Sequence, residues 1–215
     1  MPLLYRFFLT CLFFALAQTS AKAHPHSWID LETSLIFNDQ GHVIGLWQGW
    51  LFDDFYSAFT LEGMVPDKNG KYDQKALNSL AETNLKNLSE YSYFTFIHKD
   101  GEKPAYQPVR DYKTFVENNR LWMEFSVMLQ EPIDPKAHKI DYAVYDPTYY
   151  VEILHAATGD PVQLSGKGAL GCSYRLKNPE PPKEMSLMAA AMDKSESAGD
   201  GIGIYFAQHV EISCQ

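Results

Sequence analysis

Residues 28–37 read Trp-Ile-Asp-Leu-Glu-Thr-Ser-Leu-Ile-Phe. Ile29, Leu31, Leu35 and Phe37 alternate with Asp30, Glu32 and Ser34. Successive side chains of a strand point to opposite faces, so this period of two gives one apolar and one polar face, the pattern of a half-buried strand. The turn residues Asn38-Asp39-Gln40-Gly41 follow, then a second apolar run to Phe52. Residues 28–52 therefore predict a β-hairpin.

Helical spacing replaces the alternation from Asp53. Phe55, Phe59 and Met64 lie near one face, with Asp53 or Asp54 placed as a cap. Residues 73–91 are more clearly amphipathic, with Ala76, Leu77, Leu80, Leu85 and Leu88 on one side. β patterning returns at 91–98, 105–116 and 120–129, separated by Lys99-Asp100-Gly101-Glu102 and Glu117-Asn118-Asn119. Residues 138–154 predict two short strands broken at Asp146-Pro147, and 169–177 and 209–214 predict the last two. Residues 178–201 are Pro-rich, then helix-prone, then rich in Ser and Gly, which predicts an excursion with a short helix and a mobile tip. The expected class is α+β: mostly antiparallel, sandwich-like sheet, two helices inserted around 53–90, and a short late helix.

The first 23 residues carry one n-region charge, Arg6, an apolar stretch from Phe7 to Ala17, and Ala21-Lys22-Ala23 as an A-x-A cleavage site. That is the pattern of a secretory signal peptide, too short to span a bilayer. Cys11 does not make it a lipoprotein leader, because Thr10 precedes it and the apolar run continues past it. The expected mature chain is a single β-rich domain over residues 24–215 in the periplasm, with no stable membrane insertion. Formal net charge is −9, and loss of Arg6 and Lys22 with the leader makes it −11. Such a chain, with no basic cluster, is a poor partner for nucleic acid or anionic lipid and is compatible with cations, metal ions included. Cleavage leaves Cys172 and Cys214, which an oxidising compartment favours pairing.

Cleavage after Ala23 would give His24 a free α-amine, which with Nδ1 can chelate one metal, and His26 adds an imidazole nearby. Nitrogen donors of this kind suit zinc, nickel, cobalt and copper. Pro25 lacks the amide proton that the square-planar amine–amide–amide–His chelate requires, so further ligands must come from elsewhere in the fold. The bland alternative is a solvated tail. His42, His98, His138, His155 and His209 form no HxxxH or HExxH pair, and each alone reads more readily as an ordinary core or surface histidine. His155 stands out because Asp146 and two tyrosines are close in sequence, and a carboxylate can orient a ligating imidazole. Residues 65–76 resemble a damaged calcium loop. With Gly70 at the sixth position, Asp67, Asn69 and Asp73 fit, but Val65 and Ala76 replace the first and last carboxylates, so no calcium is expected. GxSxG, Walker and dinucleotide motifs are all missing, both mature cysteines are expected to be oxidised, and adjacent Asp53 and Asp54 read as caps, so no enzyme is expected.

Several stretches together carry a family resemblance: His24-Pro25-His26-Ser27-Trp28-Ile29-Asp30, Trp50 to Ser57, Glu90 to Phe96, Val144 to Val151, the late Gly171-Cys172-Ser173, and the terminal Ile212-Ser213-Cys214. The chain resembles the domain of unknown function 1007 family over nearly all of residues 24–215. Members are often labelled the periplasmic component of an uncharacterised ABC-type transport system and are often found beside nickel/cobalt-type membrane transporters. The resemblance implies handling of a divalent metal. Many members are similar to a complete EF-hand loop where this chain has 65–76. The ABC-type label itself fits poorly, because solute-binding proteins of that class are usually larger and two-lobed.

The expected function is a periplasmic accessory protein that binds zinc, nickel or cobalt, or copper, and works with an inner-membrane metal transporter. His24 and His26 are its candidate nitrogen ligands. Asp53 and Asp146 are candidate oxygen ligands or orienting partners, and His155 is a candidate further ligand. Two alternatives stand beside it: an envelope docking domain with an incidental His pair, and a copper histidine-brace enzyme.

Overall fold

The computed structural model describes residues 25–191 and 201–215. In chain order these form β1 (Ser27–Phe37), β2 (Val43–Phe52), α1 (Asp54–Thr60), α2 (Gln74–Leu88), β3 (Thr95–Lys99), β4 (Tyr112–Glu117), β5 (Arg120–Ile133), β6 (Ile140–Val144), β7 (Val151–His155), β8 (Val162–Ser165), β9 (Cys172–Lys177), α3 (Lys183–Ala191) and β10 (His209–Cys214). The hairpin read from the alternation is present, with Ile29 opposite Phe52 and Leu35 opposite Leu46. It forms the middle of a six-stranded sheet in the order β4-β5-β2-β1-β7, and β8 continues the edge that β7 begins. The second sheet is antiparallel, in the order β3-β6-β10-β9.

The two sheets pack as a sandwich because each turns one alternating set inward. Leu31 and Leu35 of β1, Leu46 and Trp50 of β2, and Met123, Phe125 and Val127 of β5 share one core with Ile97, Tyr142 and Val210 of the second sheet. Gln48, Trp50 and Thr95 satisfy one another in that core, as burial demands, whereas the buried hydroxyls of Ser34 and Thr114 have no hydrogen-bond partner among the described residues. The Gln48 amide donates to Thr95 Oγ1 at 2.7 Å and its carbonyl oxygen accepts from Trp50 Nε1 at 3.1 Å. α2 covers the inner face with Leu77, Ala81 and Leu85, and Asp73 caps it by accepting from Lys75 N.

Three expectations change. Residues 91–94 are not strand but part of a 3-10 turn, Ser89–Phe94, in which Ser92, Tyr93 and Phe94 all have positive φ. The chain must reverse there from α2 into β3. Burial of Tyr93, whose hydroxyl accepts from Val109 N, holds a backbone that local propensity disfavours. Residues 105–111 are likewise irregular, though they still lie along β5 through Gln107 N to Met128 O and Gln130 N to Ala105 O. Pro104 and Pro108 lack the N–H a continuous strand would donate. Finally, β7 and β8 pair parallel with β1, so the larger sheet is mixed. The break at Asp146-Pro147 is what makes this possible, because it carries the chain from β6 in one sheet to β7 in the other.

The Cys172–Cys214 disulfide is formed, between directly paired positions of β9 and β10. Among the described residues no helix is long and apolar enough to cross a membrane. The disulfide is compatible with an oxidising compartment.

Candidate functional site

Three of the family-like stretches meet at one end of the larger sheet. Ser27 pairs with Val151 and Trp28 with Glu152, which brings the start of β1 against the residues that follow Tyr149-Tyr150. Ile29 pairs with Phe52, which brings the end of β2 to the same place. These contacts join segments about 25 and 120 residues apart in sequence.

His24 lies outside the described residues. His26 is held at this junction. Its N–H donates to the Tyr150 carbonyl at 2.9 Å, and its ring lies 4.7 Å from the Tyr150 ring.

Asp53 ties β1 to α1. Its Oδ2 accepts from Ser27 Oγ at 2.7 Å and Trp28 N at 2.9 Å, while Oδ1 caps α1 by accepting from Tyr56 N at 2.8 Å. Partial burial alone would push this carboxyl up. Hydrogen bonds from Trp28, Tyr56, Ser27 and Phe55 outweigh it and hold the group below the ordinary aspartate range.

Asp146 is buried at the break after β6. Oδ1 accepts from Thr148 N at 2.9 Å and Thr148 Oγ1 at 2.8 Å, and Oδ2 accepts from Val151 N at 3.0 Å. It therefore organises the turn that presents Tyr150 to His26. The returning end of the 178–201 excursion seats on that turn. Gly203 N donates to Pro147 O, and a Cβ at Gly203 would lie 1.9 Å from the Asp146 carbonyl oxygen.

His155 sits in the core, 8% exposed. Gln208 Nε2 donates to Asn178 Oδ1, so Gln208 Oε1 is the oxygen facing His155 Nδ1 at 3.0 Å, and Nδ1 carries the proton. Nε2 then accepts from Thr33 Oγ1 at 3.1 Å, and the Tyr142 hydroxyl donates to Thr33 Oγ1 at 2.8 Å. Burial pushes this imidazole down to about 4, against a smaller upward pull from Gln208. Both ring nitrogens serve the fold.

The five sequence candidates thus divide. His26 and Asp53 are neighbours through Ser27. Asp146 is linked to His26 through the turn that carries the Tyr150 carbonyl, and His155 faces the core. Among the described residues no group of three or more His, Cys, Asp or Glu side chains is placed to hold a metal ion. Of residues 65–76, those up to Asp73 form a polar turn in which Asp67 Oδ1 accepts from Asn69 N and Lys71 N, and Gln74 onward is already α2.

The family described as "Protein of unknown function (DUF1007)" matches residues 9–214. The chain belongs to that family. It is similar to an uncharacterised protein of Haemophilus influenzae, 27% identical over 196 residues, covering 90% of this chain and 92% of that one. It is also similar to an uncharacterised 15.5 kDa protein in the trpE 3′ region of Spirochaeta aurantia, 29% identical over 106 residues, covering 47% of this chain and 74% of that one.

Sequence reasoning missed Tyr150 as the partner of His26, and it missed Arg120. The Arg120 guanidinium donates from Nε to Phe52 O at 2.7 Å and from Nη2 to Asp30 Oδ2 at 2.9 Å, and lies 3.7 Å from Asp54. It braces the same end of the sheet from β5. No local signal marks an arginine whose partners lie so far away in the chain.

Proposed function

We propose that this member of the family is an exported, non-catalytic protein that captures a divalent transition metal (zinc, nickel or cobalt) at its His24-Pro25-His26 start. It would exchange that metal with an inner-membrane transporter from the periplasm. The observation that supports this most is the anchoring of His26. Its backbone is fixed to Tyr150, and the next two residues are fixed to Asp53. A ligand held at one point loses less freedom on binding than one in a loose tail. Asp30 and Asp54 at the same end of the sheet share the single Arg120 guanidinium, so one negative charge in excess remains there to favour cation approach. In this reading Asp53 and Asp146 position the histidines rather than ligate. Imidazole nitrogens must be neutral to bind, so affinity falls as pH drops through the ordinary histidine range. The test is zinc titration of the mature protein beside a His24→Ala, His26→Ala double variant. Loss of binding in the variant supports the site, and equal affinity in both chains removes it.

A second reading has its own observation. Phe55 and Phe59, one turn apart on α1, are 79% and 71% exposed, and Trp28 and Tyr150 flank the Asp53 junction at 48% and 49%. Exposed aromatics of this kind suit a docking surface for another envelope protein. Association that persists in chelator and fails in Phe55→Ser, Phe59→Ser would favour docking over metal capture.

A further inference from the structure

The inner face of the larger sheet does not close fully onto α2. A cavity of about 190 Å³ remains, on the side of β1 opposite Trp28. Its floor is Ile29, Trp50, Phe52 and Met123, and its sides are the rings of Tyr56 and Phe94. Asn84 and Asn87, three residues apart on α2, stand at the mouth, the first half-buried and the second exposed. Neither side-chain amide bonds another described residue, and no Lys, Arg or His lines the space.

We propose that this cavity is a binding site for a small uncharged molecule with one aromatic ring or a short branched chain and a single hydroxyl or amide head. Size sets the first limit, since an apolar cavity of about 150 Å³ accepts benzene. The walls set the second: aromatic and aliphatic faces take an apolar body, and the asparagine amides give the head both a donor and an acceptor. Charge sets the third. A carboxylate entering this space would lose its hydration with no cation to receive it, in a chain of net charge −9. An ammonium would meet no carboxylate among the lining residues.

The walls are held rather than free to collapse inward. The Trp50 indole N–H is tied to Gln48, and the ring meets Phe125 edge-on at 5.1 Å. Tyr56 stacks on Phe52 at 4.7 Å. Phe94 ends three consecutive residues of left-handed backbone, a conformation that costs energy and that folds retain at ligand clamps among other places. The proposal rests on none of the histidine ligands, so it stands or falls apart from metal capture.

The experiment is isothermal titration of the full mature chain with p-cresol, benzoate and benzylamine, which share a ring and differ in charge. p-Cresol is expected to bind saturably, one to one, and at least tenfold more tightly than the two ions. Ile29→Phe, which fills the floor, should abolish p-cresol binding. Because that variant could fail to fold, Asn84→Leu with Asn87→Leu tests the mouth and leaves the core intact: p-cresol should weaken at least tenfold while toluene does not. Absence of saturable p-cresol binding, equal or tighter binding of either ion, or unchanged p-cresol affinity in the asparagine variant would overturn the proposal.

Discussion

Acid should unfold this protein early, and His155 supplies a specific reason. In the folded chain burial holds its imidazole down at about 4, against 6.5 in the ordinary case. Between these values the unfolded chain binds a proton that the folded chain does not, so stability is complete above 6.5 and is lost as pH falls toward 4. At about 1.4 kcal/mol for each pH step, the whole interval is worth about 3 kcal/mol, of which about 2 kcal/mol is gone by pH 5. For a chain of this length that lowers Tm by roughly 4–8 °C between pH 7 and pH 5. His209 is also depressed, mainly by burial, and acts in the same direction, so the wild-type slope alone does not isolate His155. The readout is the difference from His155→Gln, which removes the titrating group and keeps a polar side chain beside Gln208. Thermal melts at pH 7 and 5, at fixed ionic strength and in chelator, should give a variant less stable at pH 7 but with a pH-dependent loss smaller by about 2 kcal/mol. An unchanged loss in the variant, or a His155 titration midpoint above 6 by NMR, would refute the reasoning.

Other outcomes follow from the same junctions. Asp53→Ala removes a helix cap and two bonds to β1, and should cost about 2–3 kcal/mol in urea unfolding, with Asp53→Asn losing less; a loss under about 0.5 kcal/mol would show that the clamp contributes little. The Cys172–Cys214 bridge spans 42 residues. Its removal as Cys172→Ser, Cys214→Ser should cost about 4 kcal/mol on the chain-entropy model, and denaturant midpoints with equal slopes would measure it. Gly203→Ala should destabilise the turn at Asp146, because the added carbon would fall 1.9 Å from a carbonyl oxygen that cannot move aside as a side-chain tip can; an unchanged Tm would contradict that packing.

The hairpin, α1, α2, the late helix and the strands around both cysteines were legible in the sequence, because each rests on local periodicity or a local breaker. The segment at 91–94 was not, since aromatic β-formers there are held in a turn by burial of Tyr93. The parallel pairing of β1 with β7 and β8 was not legible either, because nothing local says which distant edge a strand will join. The candidate site divides the same way. Residue type made His24, His26, Asp53, Asp146 and His155 candidates. Only the tertiary structure set His26 against Tyr150, committed the Asp53 and Asp146 carboxylates to backbone and hydroxyl donors, and drew His155 into a core network with Thr33 and Gln208. Short-range periodicity is written in neighbouring residues, so the sequence determined it. A side chain's partners depend on which strands meet, and only the closed sandwich decided that.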